Sequence, residues 1–305
     1  MQVSALCLGT MNFGSRDSHQ ISYQMLDQYY EAGGRFLDTA NAYARWHQGC
    51  QGGESETLLG AWMAERANRD ELIIASKAGF PAPVDGLDRG LSAGQIERAI
   101  EGTLQRLRIE TLDLYYAHVD DRTVPLDETM EAFHRLVKAG KVKHLGASNY
   151  RIWRLEHART IAAERGWTPY TCMQQRYTYA RPKPSYNFFP HVAADRQMLD
   201  YAKAANVPLL AYSPLQAGAY TRQDRELPEP YLWPDTELRV KELRAVAREL
   251  DATPNQVVLA WMLESDPPVI PIIAASSRAQ MEENLGALDL RLGDEMMARL
   301  DGAGF

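Results

Sequence analysis

Short apolar runs alternate with longer amphipathic stretches along most of the chain, and this alternation predicts parallel β-strands separated by helices. The apolar runs lack a clean polar alternation, which is typical of strands buried on both faces of a sheet. The pattern predicts eight strand and helix pairs, in this order: Ala5–Leu8 and Ser22–Ala32, Phe36–Asp38 and Ser55–Ala64, Leu72–Lys77 and Ser92–Leu107, Leu112–His118 and Leu126–Ala139, His144–Ser148 and Ile152–Arg165, Thr171–Gln175 and Ala193–Ala205, Pro208–Tyr212 and Glu237–Leu250, Val269–Ile273 and Arg278–Leu288.

Eight β/α units favour closure of the sheet into a barrel, and 305 residues are within the range of one such barrel. An open doubly wound sheet fits the same alternation, but its G-x-G-x-x-G turn is missing, because Gly9–Gly14 reads GTMNFG. We therefore predict an α/β fold, a (β/α)8 TIM barrel, as a single domain over residues 1–305. Two segments rich in proline and aromatic residues, Arg181–His191 and Ala217–Thr236, are predicted as long loops at the C-terminal face of the barrel.

Composition narrows the kind of partner. A net charge of −7 argues against a broad surface for nucleic acid or anionic membrane, so we expect small-molecule partners. The three cysteines, Cys7, Cys50 and Cys172, lack the paired spacing of zinc or dithiol sites, which predicts no metal and a reducing, cytoplasmic location. No leader pattern or long uncharged apolar run is present, so neither export nor membrane insertion is expected.

Polar residues at the ends of the predicted strands indicate a reactive site. Asp38 ends the second strand and leads to Tyr43, while Lys77 and His118 end the third and fourth. Each could alone serve packing or capping, but burying all four at one end of a barrel is costly unless they satisfy one another. We expect Lys77 to lower the pKa of Tyr43, Asp38 to keep Lys77 charged, and His118 to orient a substrate oxygen or relay its proton.

Several motifs carry a resemblance to a known family: GTMNFG at Gly9–Gly14, FLDTANAY at Phe36–Tyr43, SETLLG at Ser55–Gly60, GKVKHLGASN at Gly140–Asn149, AYSPL at Ala211–Leu215 and EENL at Glu282–Leu285. With these ordered matches the chain resembles the aldo-keto reductases over nearly its whole length. The resemblance implies a nicotinamide cofactor bound without a Rossmann fold and a catalytic set of Tyr43, Asp38, Lys77 and His118. Tyr43 would donate a proton to a carbonyl oxygen while hydride reaches the carbonyl carbon.

The resemblance also implies a set of cofactor contacts. Ser148, Asn149 and Gln174 would hold the carboxamide, and Tyr212 would stack on the nicotinamide ring. The remaining implied contacts are Gly9, Thr10 and Met11 after the first strand, Ser213, Leu215 and Gly218 along the pyrophosphate, and Gln280 and Asn284 near the adenosine. For Gln280 and Asn284, an ordinary role on the helix surface is an equal alternative.

The stretch after the last strand departs from the family pattern. Relatives that favour the 2′-phosphorylated cofactor usually carry basic residues there, whereas Pro271–Gln280 reads PIIAASSRAQ, with Arg278 as its one cation. Either Ser276, Ser277 and Arg278 hold the phosphate, or the unphosphorylated cofactor is accepted or preferred. We expect NADP, with NAD as the alternative.

The substrate side is less defined by sequence. The segment Ala44–Gly53 is longer than the turn that precedes the Ser-Glu motif in the family that the chain resembles, so it is expected to border the substrate pocket. Trp46 in this segment, together with Phe188, Phe189 and Trp233, is expected to form apolar walls or a stacking platform. Packing against the barrel rim is the alternative for these rings. An aldehyde, ketone or sugar is the expected substrate. A nicotinamide-binding regulatory subunit with little turnover and a barrel isomerase or lyase are the other hypotheses.

Overall fold

The computed structural model describes residues 1–304. Its strands are β1 Cys7–Gly9, β2 Phe36–Asp38, β3 Ile73–Ala78, β4 Leu112–Ala117, β5 Val142–Ser148, β6 Tyr170–Arg176, β7 Leu209–Tyr212 and β8 Val269–Ile273. Its α-helices are α1 His19–Glu31, α2 Glu54–Arg66, α3 Ala93–Leu107, α4 Leu126–Lys138, α5 Ile152–Arg165, α6 Arg196–Ala204, α7 Pro234–Glu249, α8 Pro254–Glu264, α9 Arg278–Gly286 and α10 Gly293–Gly302. Within the described residues, no helix combines the length and the apolar character needed to cross a membrane.

The strands follow one another in chain order around a closed barrel. The ladders from β1 to β6 and from β7 to β8 are parallel. A helix covers the return from each strand to the next, which is the connection that parallel neighbours require. The predicted (β/α)8 barrel is confirmed.

The contacts divide the chain into two compact units, and the first is Met1–Gln174. In it, Asp38 on β2 is in register with Ala75, and Lys77 on β3 with Tyr116 on β4. Tyr116 is fully buried and lies over Gly146 on β5, where a Cβ would come within 2.5 Å of the tyrosine ring. Glycine is therefore needed at this position of the strand.

The second unit is Gln175–Phe305, and it contains two helices that the sequence pattern did not predict, α8 and α10. Helix α8 follows α7 with no strand between them, which breaks the β/α rhythm. A sequence signal for α8 was present, because Thr253 caps it, Pro254 starts it and Gln256 completes a capping box. The prediction of one domain over residues 1–305 stays a prediction.

The two predicted loops differ in outcome. Arg181–His191 contains no helix or strand, as predicted. The second predicted loop, Ala217–Thr236, is wrong at its end, because α7 begins at Pro234 rather than at Glu237. Proline at the first helical position has its φ angle preset and needs no partner for a missing N–H, which explains the earlier start.

Candidate active site

Three neighbouring strands of the first unit bring the predicted proton-transfer residues to one end of the sheet. Asp38 is the last residue of β2, Lys77 lies next to the end of β3, and His118 directly follows β4. Parallel strands in register present their carboxyl ends along the same edge, so these side chains start close together. Tyr43 reaches them from the segment that follows β2.

Lys77 is at the centre of the cluster. Its ammonium donates to the Asp38 carboxylate, to the Thr39 carbonyl at 2.8 Å and to the Tyr43 hydroxyl at 2.8 Å. The Tyr43 hydroxyl is 3.3 Å from Oδ1 of Asp38 and can donate its own proton there. Lys77 and Asp38 are fully buried, whereas Tyr43 is half-buried. An ammonium has three protons, so these three acceptors satisfy it completely.

Burial lowers the pKa of Lys77 from its usual value, although the charge of Asp38 and its hydrogen bond oppose that shift. Desolvation penalises the charged form of an amine, and here it outweighs the adjacent carboxylate. Lys77 therefore holds its proton less tightly than a lysine in water does. Such a shift, at a group in contact with a tyrosine hydroxyl, is typical of reactive sites.

His118 lies beside Tyr43 and is half-buried. The two rings meet edge to face, with centroids 5.9 Å apart, and the ring of Phe80 also meets the imidazole edge to face, with centroids 4.7 Å apart. The main chain of His118 is fixed by its own N–H, which donates to the Ala78 carbonyl at 2.8 Å. Phe80 was missed by sequence analysis, although its position two residues after the end of β3 was an available signal.

The predicted carboxamide contacts of the first unit lie next to this cluster. The Asn149 side-chain amide donates to the His118 carbonyl at 2.9 Å and to the Ser148 hydroxyl at 3.1 Å. Gln174 on β6 donates to Oδ2 of Asp38 at 2.8 Å. These are neutral donors and acceptors, which suit the amide of a nicotinamide carboxamide. The structure thus brings Ser148, Asn149 and Gln174 together with Asp38 and His118.

The residues after β1 have a different environment. The Thr10 hydroxyl donates to the Asp38 carbonyl at 3.0 Å and bonds to the Ser55 hydroxyl at 2.8 Å, so its side chain ties β1 to β2 and to the start of α2. Gly9 ends β1, and Met11 is exposed. Of these three, Met11 has the side chain most accessible to a ligand.

In the second unit, β7 leads into the predicted nicotinamide and pyrophosphate contacts. Tyr212 ends β7, and its ring meets His191 edge to face, with centroids 6.1 Å apart. Ser213 and Gly218 have φ angles of +56° and +86°, which form a tight turn around Leu215. The Gly218 N–H donates to the Leu215 carbonyl at 2.8 Å, which closes this turn.

The predicted 2′-phosphate and adenosine contacts surround the start of α9. Ser277 caps this helix, and Gln280 accepts from both the N–H and the hydroxyl of Ser276, at 2.9 and 3.1 Å. Arg278 pairs with Glu282 one turn along the helix at 2.9 Å, and its side chain is 83% exposed. Asn284 is buried and donates to the Ala274 carbonyl at 3.1 Å. All five predicted residues are therefore grouped.

The predicted substrate-pocket rings are distributed over both units. In the first, Trp46 is 51% exposed, and its ring centroid is 6.3 Å from that of Tyr43. In the second, Phe188 packs against Tyr186 with centroids 4.7 Å apart, and Phe189 is 74% exposed. Trp233 is the N-cap residue directly before α7, and its indole donates to the Arg181 carbonyl at 2.8 Å, which anchors the preceding loop. In residues 1–304 no cluster of three or more histidine, cysteine or acidic residues could hold a metal ion.

Comparison with known proteins identifies the family to which this barrel, with its tyrosine–lysine–aspartate cluster, belongs. The model of the aldo/keto reductase family matches residues 5–304. The chain belongs to the aldo-keto reductase family, and it is therefore an NAD(P)H-dependent oxidoreductase of the kind that acts on carbonyl compounds.

Individual relatives are similar at moderate identity. The uncharacterized oxidoreductase YrpG of Bacillus subtilis is 31% identical, with 99% of this chain and 92% of that protein covered. The norsolorinic acid reductase stcV of Emericella nidulans is 30% identical, with 99% and 78% covered. Among solved structures, the thermostable aldo-keto reductase Tm1743 in complex with the inhibitor epalrestat matches at 27% identity and a TM-score of 0.76, with 99% and 95% covered.

Proposed function

We propose that this protein transfers hydride between a nicotinamide cofactor and a carbonyl or alcohol group, with Tyr43 as the general acid or base. One observation carries the proposal: the buried Lys77 ammonium donates both to the Asp38 carboxylate and to the Tyr43 hydroxyl. A cation bonded to a phenol oxygen favours the phenolate over the phenol. Tyr43 is thereby prepared to release a proton and to take it back.

The proton steps follow from this geometry. A bound nicotinamide supplies or accepts the hydride, and the chain's own residues handle the proton. In reduction, Tyr43 gives its hydroxyl proton to the substrate oxygen, and the phenolate that remains accepts a hydrogen bond from Lys77 at 2.8 Å. In oxidation, the same oxygen takes the proton from the alcohol. Preorganised charge stabilisation of this kind is often the largest single contribution to an enzymatic rate.

His118 is proposed to orient the substrate oxygen. Its ring meets that of Tyr43 edge to face, and its main chain is held by Ala78 and by the Asn149 amide. An imidazole fixed beside the acid can donate to the same oxygen that receives the proton. His118 would then select the position of the carbonyl, while Tyr43 carries out the transfer.

The cofactor is proposed to bind through groups that suit its parts. Ser148, Asn149 and Gln174 offer hydroxyl and amide groups to the carboxamide, and Tyr212 offers a flat ring to the nicotinamide. The other proposed contacts are Gly9, Thr10 and Met11 after β1, Ser213, Leu215 and Gly218 after β7, and Ser276, Ser277, Arg278, Gln280 and Asn284 around the start of α9.

For the form of the cofactor we propose NADP, with NAD also accepted. The support is that Arg278 is exposed and pairs across the helix surface with Glu282, an exposed ion pair that a phosphate can displace at small cost. Gln280 meanwhile occupies the N–H and hydroxyl of Ser276 with its side-chain oxygen. A single exposed cation predicts weak discrimination, which titration of NADPH and NADH against protein fluorescence would measure.

For the substrate we propose a carbonyl on a flat, apolar or aromatic framework in preference to a free sugar. The ring of Trp46 meets that of Tyr43, and the ring of Phe80 meets that of His118, so an apolar ring adjoins each of these two residues. The names of two relatives agree with this choice, since norsolorinic acid reductase of Emericella nidulans and aryl-alcohol dehydrogenase GME11368 of Pestalotiopsis microspora both match over 99% of this chain.

We also propose that residues 1–305 act as one catalytic domain. The support is that one family model spans residues 5–304 without a break. A single unfolding transition in calorimetry, shifted as a whole by nicotinamide, is the expected result. Two transitions, of which only one responds to the cofactor, would oppose the proposal.

The central experiment follows nicotinamide absorbance with a panel of aromatic aldehydes, aliphatic ketones and sugars. Tyr43→Phe is expected to lower kcat by about 10² to 10⁴, because the acid is removed while the ring remains. Fluorescence titration should show unchanged NADPH binding. Tyr30→Phe is the matched control, because Tyr30 lies on α1 against Trp62.

Two results would oppose the proposed function. Full turnover by Tyr43→Phe would remove Tyr43 from its role. Tight NADPH binding by the unmodified protein with negligible turnover of every carbonyl would instead indicate a regulatory subunit.

A further inference from the structure

Arg106 lies on the inner side of α3, between two carboxylates of the first unit. Its Nε donates to Glu56 at 2.7 Å, and its two terminal nitrogens donate to Asp85 at 2.6 and 3.1 Å. Glu56 is fully buried, and the side chains of Arg106 and Asp85 are only 12% and 4% exposed. A guanidinium with a carboxylate on each side is an unusually complete buried ion network.

Each carboxylate accepts a hydrogen bond from a residue that is close in sequence to Lys77 or to Tyr43. Glu56 accepts from the hydroxyls of Ser76 at 2.5 Å and Thr103 at 2.9 Å, and Ser76 is the residue directly before Lys77. Asp85 accepts from the Asn41 side chain at 3.1 Å, two residues before Tyr43. Arg106 is therefore joined to both the lysine and the tyrosine segments without touching either side chain.

The Tyr43 segment is held at further points by the same part of the fold. The N–H of Asn41 donates to the Lys77 carbonyl at 3.3 Å, and the Val84 N–H, next to Asp85, donates to the Gln51 carbonyl at 3.1 Å. Gly52 packs so closely on Asn41 that a Cβ there would lie 2.7 Å from the Asn41 carbonyl oxygen. The chain on either side of Tyr43 thus rests on the turn that contains Asp85.

Three glycines lie so close to Arg106 and Asp85 that a larger residue would not fit at their positions. A Cβ at Gly53 would lie 2.6 Å from Cδ of Arg106, one at Gly60 would lie 2.2 Å from the Arg106 carbonyl oxygen, and one at Gly102 would lie 2.2 Å from Oδ1 of Asp85. Gly53 and Gly60 flank Glu56 on α2, and Gly102 precedes Arg106 on α3. Side chains at these positions would push the arginine away from its partners.

The two carboxylates keep the Arg106 guanidinium charged. Burial alone would lower the pKa of Arg106, but Glu56 and Asp85 outweigh it and raise the pKa above its ordinary value. The guanidinium therefore stays charged, and it compensates two carboxylates that would otherwise be buried without a cation. A planar fork of donors is required for this, because a lysine offers one point charge instead.

We propose that Arg106 is a positioning residue for the reductase reaction: through Glu56 and Ser76 it sets the end of β3 that carries Lys77, and through Asp85 and Asn41 it sets the segment that carries Tyr43. The inference rests on the proposed function of the Tyr43 and Lys77 pair. Arg106 controls the distance between the acid and the cation beside it, while cofactor binding depends on other residues.

The test is a double-mutant cycle on the tyrosine branch. Asn41→Ala and Asp85→Ala each leave the Arg106 and Glu56 pair in place, so both variants are expected to fold. Each should lower the single-turnover rate of hydride transfer about tenfold, because small misplacements of reacting groups are costly. The double variant should be no slower than the slower single variant, because both changes break the same link.

Two further measurements separate positioning from general stability. Fluorescence titration of NADH and NADPH should give dissociation constants within about twofold of the unmodified protein, since the link lies outside the cofactor contacts. Arg106→Lys should recover part of the rate that Arg106→Met loses, because it restores one charge but not the fork. Arg98→Met, an exposed change on the same helix, is the matched control and should leave kcat unchanged.

The proposal fails if the variants lower only the melting temperature while the hydride-transfer rate stays within about twofold of the unmodified protein. It also fails if the effects of Asn41→Ala and Asp85→Ala simply add. Its failure is distinct from failure of the proposed function, which depends on Tyr43→Phe. A loss of rate in Tyr43→Phe with no effect in the cycle would leave the acid assigned and remove Arg106 from its role.

Discussion

In the first unit, most polar side chains of the candidate site are buried and several bond to residues distant in sequence, whereas around α9 in the second unit they bond to near neighbours. Lys77 bonds to Asp38 across 39 positions and to Tyr43 across 34, and Gln174 reaches Asp38 across 136. Around α9, by contrast, Gln280 bonds to Ser276 and Arg278 to Glu282, each across 4 positions.

This difference separates two kinds of functional residue. A buried ion cluster is satisfied only as a whole, so removing one member leaves another charge buried without a partner. A helix-surface pair is solvated and worth little, so its members can change partner when a ligand arrives. We therefore expect large effects from changes in the first unit and small, ligand-specific effects from changes around α9.

The largest effect is expected from Lys77→Met. This change removes the cation beside Tyr43 and leaves Asp38 buried with its hydrogen bonds to Gln174 and Tyr43 only. The phenolate left after proton transfer loses its stabilising charge, so kcat should fall by about 10² to 10⁴. Steady-state turnover of an aromatic aldehyde with NADPH measures the loss.

Lys143→Met serves as a control, because Lys143 also pairs with an aspartate, Asp113, but at a half-exposed position on β5. It should keep nearly full activity. Equal losses in the two variants would mean that any lysine–aspartate pair matters for stability, and the special role of Lys77 would be lost.

A change in pH dependence is expected from Asp38→Asn. Burial lowers the pKa of Lys77, and Asp38 is the main group that opposes this shift. Without that negative charge the pKa of Lys77 falls further, so the ammonium is lost at a lower pH and the basic limb of the kcat profile moves downward.

The carboxylate of Glu56 also opposes the shift of Lys77, and it stays in place in this variant. A pH profile of kcat for the unmodified protein and for Asp38→Asn gives the comparison. A basic limb that stays fixed, or moves to higher pH, would show that Asp38 does not support the charge of Lys77.

A difference in packing is expected between two glycine substitutions. At Gly146 on β5, a methyl group would meet the ring of Tyr116 at 2.5 Å and the sulfur of Cys172 at 2.9 Å. Both neighbours are buried, so Gly146→Ala should destabilise the protein by about 1–3 kcal/mol. At Gly286 on α9, the methyl would meet only the end of the Gln256 side chain, with Nε2 at 2.5 Å, and this amide can shift at the cost of its bond to the Thr253 N–H.

Gly286→Ala should therefore change the free energy of unfolding by less than about 1 kcal/mol. Chemical denaturation of both variants measures the two effects. Similar losses at the two positions would show that α9 is packed as tightly as the interior of the first unit.

The regular parts of the fold were predictable because local pattern determines them. Leu72–Lys77 was predicted as a strand from the apolar run Leu72–Ala75, and the structure has strand β3 at Ile73–Ala78. Helix α8 was not predicted because it follows another helix, and because no periodicity distinguishes its apolar sequence from a buried strand. The alternation of strands and helices predicts only elements that follow the repeat, so it does not predict a helix such as α8 that departs from it.

For the candidate site, residue type and strand ends were enough to bring together Asp38, Lys77, Tyr43 and His118 as candidates. Phe80 was missed because a single aromatic residue after a strand has no distinctive chemistry. The Arg106 network was missed because Arg106 and Glu56 are 50 positions apart, and only the packing of α2 against α3 makes them partners. The roles of Asp38, Lys77, Tyr43, His118 and Arg106 in the reaction remain predictions.

The smallest effect concerns the form of the cofactor. Glu282→Gln removes an anion that would compete with a 2′-phosphate for Arg278. Exposed pairs on a helix are worth less than about 1 kcal/mol, so the affinity for NADPH should rise by at most about fivefold. NADH has no 2′-phosphate, and its affinity should stay the same. Arg278→Ala should weaken NADPH by a similarly small factor, again without an effect on NADH.

Fluorescence titration of both cofactors against the two variants decides this question. Opposite shifts for NADPH, with NADH constant, would place Arg278 at the phosphate. If Glu282→Gln weakens NADPH, or if both cofactors shift together, Arg278 does not meet the phosphate, and the contrast between a buried cluster and an exchangeable surface pair would not extend to cofactor choice.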